Sequence, residues 1–236
     1  MSCPFSPRRL ALCGALCLAP VATTACSESS TSPQYDPEIP TTWAPAIDNA
    51  FLPWTPGRSY TYGGAEDVTI EVLATVKVIS GVTAVEVRDR VFESGTLVED
   101  TYDWYAQDGD GNVWYLGEDT KEYENGVVVS TEGSWEWGQG GALPGIAMWA
   151  DPAANVGTAY RQEYRRGVAE DWGRVIATGI SVTVAAGSYN GCIRTLDTSG
   201  LDRMLREHKT YCPGIGLVLE TQEDGSEPVE LLSVTP

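Results

Sequence analysis

The chain has 236 residues, with 33 acidic side chains against 15 lysines and arginines, and a formal net charge of −18. A surface this acidic repels nucleic acid and anionic lipid headgroups, which excludes both as general partners. A single histidine, His208, excludes a histidine-rich zinc site.

The first residues read MSCPFSPRRLALCGALCLAPVATTAC. Arg8 and Arg9 form a positive start, and residues 10–22 form an apolar run of about a dozen residues. That run is too short to span a bilayer and has the pattern of a signal-peptide core. TTAC resembles a bacterial lipobox, with Thr23 where leucine is preferred. Residues 1–25 are therefore expected to be a signal peptide, and Cys26 a lipidated first mature residue, with ordinary secretion as the alternative. PRRLAL is also faintly similar to a twin-arginine signal. Loss of residues 1–25 removes Arg8 and Arg9 and no acid, which takes the charge to −20.

Residues 26–42 are polar and rich in Pro, Ser and Thr, and read as a flexible linker. One folded domain is expected over 43–236, long enough for a sizeable core. Of the six cysteines, Cys3, Cys13 and Cys17 leave with the signal. Cys192 and Cys212 remain, in an oxidising compartment. They flank a hairpin centred near Asp202, which places them opposite each other for a structural disulfide.

Almost every later segment alternates with period two, as in VTIEVLATVKVI, TAVEVRDRVF, LVEDTYDWYAQ and SVTVAAG. Turn signals ESGT, DGDGN, ENGV, RRGV and AAGSYNG separate them. No segment carries a helical stripe over ten residues. Residues 142–157 read as a long loop with one short helical turn. The pattern predicts an all-β fold of about ten to twelve antiparallel strands in a meander. It would close into a lipocalin-like barrel or form a strongly curved half-barrel sheet. A two-sheet sandwich is the alternative.

Tight turns at Ser94-Gly95, at DGDG and at Asn125-Gly126 set an expected register. It pairs Asp89 with Asp100, Val87 with Tyr102, Val85 with Trp104, Trp104 with Tyr115, Asp100 with Asp119, and Asp119 with Glu132. Asp89, Asp100, Asp119 and Glu132 would then form one inward row beside Tyr102, Trp104 and Tyr115. Opposed like charges destabilise a sheet, and buried unpaired ones cost several kcal/mol. Four explanations remain open: a hard cation such as Ca²⁺, neutralisation by Arg161, Arg194, Arg206 or Lys209, shared protons, or a wet face. A one-residue slip would flip the faces. Glu163 near Glu170 and Asp171 forms a second acidic group, read as a solvated hairpin balanced by Arg165 and Arg166.

Asp108, Asp110 and Asn112 resemble the start of a calcium loop, but Val113 replaces its glycine and Asp119 its final glutamate. A hairpin turn is the better reading. There is no G-x-S-x-G elbow and no mature CxxC, and GQGG lacks a strand–helix context. His208 reads as an ordinary strand residue, with a general-base role only if the protein is an enzyme. Eight tryptophans and eleven tyrosines suit core packing, or the lining of a ligand site.

The pieces IDNAFLPWTPGRSYTY, DTYDWYAQDGDGNVWYLGEDTKEYENG, VTVAAGSYNGC and EHKTYCPGIGLVLE together resemble a family of bacterial exported proteins of unknown function. The family would carry proline where Ala185 stands and a residue other than cysteine at 212. A more distant similarity is to half-barrel lipoproteins and periplasmic binding modules. The resemblance implies export and an all-β fold, and supplies no substrate.

The function expected is an exported, lipid-anchored or secreted binding protein of the cell envelope. It would hold a small ligand or a Ca²⁺-like cation at Asp89, Asp100, Tyr102, Trp104, Tyr115, Asp119 and Glu132, with the four acids as metal ligands. No nucleic-acid partner is expected, and membrane contact only through the lipid. One alternative is an isomerase, cyclase or hydrolase with Asp89, Asp100 and His208 as catalytic groups. The other is a structural lipoprotein without a site.

Overall fold

A computed structural model describes residues 35–236. The expected signal peptide and Cys26 lie outside the described residues. Of the expected linker, residues 35–42 have no regular secondary structure. Tyr35 nevertheless donates its hydroxyl to Pro144 O at 2.9 Å and packs against Tyr164.

The strands are β1 (Ser59–Gly64), β2 (Asp67–Ile79), β3 (Val82–Glu93), β4 (Thr96–Gln107), β5 (Val113–Glu124), β6 (Val127–Ser130), β7 (Trp135–Glu136) and β8 (Leu143–Met148). After a 3₁₀ turn (Pro152–Asn155) come β9 (Ala159–Arg161), β10 (Glu163–Tyr164), β11 (Asp171–Val184), β12 (Gly187–Ser199), β13 (Arg206–Cys212), β14 (Gly216–Gln222) and β15 (Val229–Thr235). They form a 15-stranded antiparallel sheet in the order β10-β8-β5-β4-β3-β2-β1-β15-β14-β13-β12-β11-β9, with β6 and β7 added on β5. The expected all-β meander is thus present as a strongly curved sheet. Its hydrogen-bonded path is not closed, although its two ends, β9 and β10, are separated in sequence by Gln162 alone.

The strand count exceeds the expected one partly because residues 142–157 hold β8. Pro144 and Gly145 read as breakers in the sequence. Here Pro144 pairs with Glu163, and Gly145 lies so close to the Gln162 backbone that a Cβ would sit 2.4 Å from its carbonyl oxygen. Only glycine permits that approach.

One end of the curved sheet is stoppered. Residues 43–54 pack over the β4–β5 and β13–β14 turns. Asn49 Oδ1 accepts from the Phe51 and Leu52 amides, its Nδ2 donates to Gly111 O and Trp149 O, and Gln107 Oε1 accepts from the Asp48 and Asn49 amides. Gly214 N donates to Ala50 O. These bonds explain the structural role of the IDNAFLPW stretch. Leu52, Trp54, Tyr60, Tyr105 and Tyr115 lie in the main core cluster beneath it. Cys192 and Cys212 form the expected disulfide across the β12–β13 hairpin.

Candidate functional site

The inner face is set by alternation along each strand, and two bulges decide which acids reach it. The β3–β4 hairpin starts in the expected register, with Glu93 opposite Thr96 and Phe92 opposite Leu97. Val91 then faces Glu99, so Val98 is an extra residue. Beyond it every β4 side chain is turned over. Asp89 faces Thr101, not Asp100, and Val87 faces Asp103. In β5, Tyr105 faces Tyr115 but Trp104 faces Gly117, so Leu116 is extra. Gly117 has φ +147°, and a Cβ there would meet Trp135 O at 2.5 Å. Asp103 consequently faces Glu118, and Tyr102 faces Asp119.

The expected row is therefore corrected. Asp89 and Tyr115 are on the inner face, and the other members are not. Asp100 is on the outer face, where Arg88 donates two bonds of 2.8 Å to its carboxylate. Tyr102 lies under the Arg88 guanidinium. Trp104 packs in a second apolar cluster with Ala106, Trp114 and Leu116, carries Lys77 over its ring and donates Nε1–H to Glu86. Asp119 forms an ion pair with Lys121 at 2.7 Å. Glu132 is exposed beyond the end of β6. Among the described residues no three His, Cys, Asp or Glu side chains converge as a metal site requires, so the four-acid calcium set does not form.

His208 also points away from the interior. It sits opposite Leu196 and Thr221 on the outer face, and burial with neighbouring Arg194 lowers its pKa. Asp89, Asp100 and His208 hence cannot share one catalytic cavity. Asp108 accepts from the Asp110 and Asn112 amides, Asn112 Nδ2 and Trp114 Nε1, as a hairpin-turn residue should.

The interior carries a different and larger set of acids. Glu99, Asp103 and Glu118 come from β4 and β5, and Asp197, Glu207 and Glu220 from β12, β13 and β14. Lys209 is 2% exposed among them, with Nζ 3.6 Å from Asp197 and 3.7 Å from Glu220. It is the one member of the neutralising quartet proposed from sequence that faces inward beside these acids. Arg206 pairs with Glu223 on the surface, Arg194 bonds Thr210, and Arg161 lies over Trp172. Glu163 and Asp171, read from sequence as solvated, are buried; Glu163 accepts from Trp135 Nε1 at 2.9 Å.

Burial controls the protonation of this face. It pushes Glu99, Asp103 and Glu207 up to about 7 and Glu163 to about 8. Burial, reinforced by neighbouring acids, holds Asp89 and Glu118 well above the usual carboxylate range. Burial raises Glu220 as well, against the opposing pull of Lys209. The Tyr115 hydroxyl lies 2.5 Å from Asp103 and 3.0 Å from Glu118. One phenolic proton serves one of them, so the second bond requires a proton on a carboxyl group. Asp89 is 4% exposed, and among the described residues neither of its carboxylate oxygens has a hydrogen-bond partner.

Opposite the stopper, the turns after β1, β3, β12 and β14 surround a cleft of about 730 Å³. Its lining includes the acids Glu66, Asp67, Glu93, Glu207, Glu220 and Glu227 and, among the described residues, no lysine, arginine or histidine. Glu207 and Glu220 join it to the interior, since Glu207 pairs across strands with Asp197 and Glu220 with Lys209. On β3 the inner face runs from Glu93 at this mouth through Val91, Asp89 and Val87 to Val85 toward the stopper.

No protein-family model matches the chain, and a search of curated proteins finds no match. A solved structure similar in shape is a crystal structure of a "putative lipoprotein" from Parabacteroides distasonis. It is 13% identical, with 79% of this chain aligned to 99% of that one at a TM-score of 0.39.

Proposed function

We propose that this is an exported binding protein that takes a small, positively charged ligand into the acidic mouth of its curved sheet. The observation that carries the reading is the cleft itself. Its volume falls in the range of small-molecule sites, roughly 300–1,000 Å³. Among the described residues its charged lining is entirely acidic. Such a surface focuses positive charge and repels anions. Export rests on the signal-like first residues and on the disulfide, which needs an oxidising compartment.

A thermal melt tests this. The purified protein is melted in EDTA, then with methylammonium, Mg²⁺ or Ca²⁺ at fixed ionic strength. A ligand at a hundred times its Kd stabilises the folded state by about 2.7 kcal/mol. In a domain of this size that is roughly 5–11 °C. If no cation raises the midpoint above that in NaCl of equal ionic strength, the reading fails.

A further inference from the structure

Lys209 holds an amine and two carboxyl groups together out of water. The strand register puts it there. On the inner face of β13 it pairs with Thr195 on β12 and Glu220 on β14, and Asp197 is its diagonal neighbour on β12. Nζ lies 3.6 Å from Asp197 Oδ2 and 3.7 Å from Glu220 Oε2. Lys209 is 2% exposed and Asp197 4%. Distance does not separate the two acids, but their hydrogen bonds do. Asp197 Oδ2 accepts from Gln162 Nε2 at 3.3 Å, whereas Glu220 Oε2 has no hydrogen-bond partner among the described residues.

An amine and a carboxyl group condense to an amide with loss of water. In solution the surrounding water opposes this reaction. Here several features favour it. Fixed proximity is worth an effective concentration of roughly 10⁵–10⁸ M. Two charges that burial makes costly are replaced by one neutral group. The product is also satisfied where it forms. Its carbonyl oxygen inherits the bond from Gln162 Nε2, and its N–H lies beside Glu220 Oε2. Glu220 lines the cleft, which gives the released water a way out.

We propose that the folded chain closes an isopeptide bond between Lys209 Nζ and Asp197 Cγ, with Glu220 as the proton carrier. One ammonium proton passes through Glu220 to Asp197 Oδ1, which leaves an amine and a carboxylic acid. The nitrogen lone pair then forms the N–C bond, and the carbonyl electron pair moves onto Oδ2, held by Gln162. Glu220 takes a second proton from nitrogen and delivers it to the Oδ1 hydroxyl. The C–Oδ1 bond breaks, water leaves and the carbonyl re-forms. Glu220 ends as it began. Burial raises its pKa, which suits a group that must accept a proton and return it. The ion pair is the reactant. Its nitrogen must lose a proton and swing onto carbon, so closure lags behind folding, and newly made chain carries the pair.

Mass spectrometry of the whole purified protein tests this, first fresh and then after a week at neutral pH. A chain lighter by one water should accumulate. Succinimide formation at an Asp-Gly turn such as Asp110-Gly111 also loses water, so the bond is located by digestion after reduction of the disulfide. Trypsin should fail to cut after Lys209, and residues 195–203 should stay joined to residues 207–236. Lys209→Arg keeps the charge and should abolish the joined peptide. Asp197→Asn should give the same joined peptide with loss of ammonia in place of water. Glu220→Gln should slow closure by at least about tenfold. A whole-protein mass that stays unchanged overturns the proposal, as does equal loss of water in Lys209→Arg. A closed loop within residues 207–236 overturns it as well, because Glu220 would then be the acceptor. The unmodified protein carries the decisive measurement, so the test stands even where a variant does not fold.

Discussion

Replacing Lys209 by methionine is the sharpest perturbation of this interior. The ammonium lies 3.6 Å from Asp197 and 3.7 Å from Glu220, and the side chain is 2% exposed. Methionine preserves most of the volume, so the loss is one of charge rather than of packing. Removing one partner of a buried ion pair costs about 3–5 kcal/mol, because the other is left uncompensated. For a domain of this size that is a fall of about 6–20 °C in Tm. The fall must depend on pH. Burial raises Glu220, so in acid the group holds a proton and needs no cation. The expected result in matched melts is the full loss at pH 8 and at most half of it at pH 5. A drop under 2 °C at pH 8, or the same drop at both pH values, would refute the reasoning that Lys209 neutralises this cluster.

The unmodified protein should lose stability as pH rises. Glu99, Asp103 and Glu207 are held at about 7 and Glu163 at about 8. Carboxyls raised on folding contribute stability below their unfolded value of about 4 and lose it as pH passes through 7–8. Melts at constant ionic strength should therefore be highest near pH 4 and fall until about pH 8; a flat or rising profile over that range contradicts the assignment. Replacing Cys192 and Cys212 by alanine opens a loop of 20 residues' separation, and should lower stability by about 3 kcal/mol in urea unfolding. Asp100→Asn breaks a mostly buried, two-bond ion pair with Arg88 on the outer face. It should cost about 1.5–3 kcal/mol and leave cation binding unchanged; loss of binding in that variant would put Asp100 back inside. Gly117→Ala forces a Cβ against the Trp135 carbonyl. It should cost at least 1–3 kcal/mol by denaturant titration, more than an exposed glycine substitution at Gly126, where nothing lies within 4 Å.

Alternation and turn chemistry were enough to read the all-β meander and the pairing of Cys192 with Cys212, because both follow from local pattern. The inner face was not legible to the same degree. Asp89 is inward, as alternation along β3 predicts. Tyr115 is inward as well, but opposite Tyr105 and not Trp104: the DGDG turn pairs one residue away from the expected register, which offsets the extra residue at Val98. Asp100 and Trp104 are turned outward by Val98, and Asp119 by Leu116. Gly117 did leave a trace, as an isolated glycine inside a strand marks a bulge or a close backbone approach. Val98 left none: a half-buried valine has the same appearance in a regular strand. Glu163 was misread because its neighbours Arg165 and Arg166 suggested solvent, whereas its partner, the Trp135 indole, is 28 residues away in the chain.

The way the curved sheet ends bears on how the chain behaves in a crowded compartment. An unpaired strand edge is a template for pairing with another chain. Here the two terminal strands of the path, β9 and β10, are three and two residues long and follow one another directly, so neither offers a usable template. Past Arg174 the outer edge of β11 has no partner among the described strands, but its pairing with β12 is broken at three places before Val184. Such irregularity twists an edge away from strand addition. Another edge is β6, four residues long and shifted in register once against β5, whose Val127, Val128 and Val129 are all exposed. A self-association assay should find it there first: a lysine at Val128 is the substitution expected to suppress sheet-to-sheet aggregation while leaving the acidic mouth untouched.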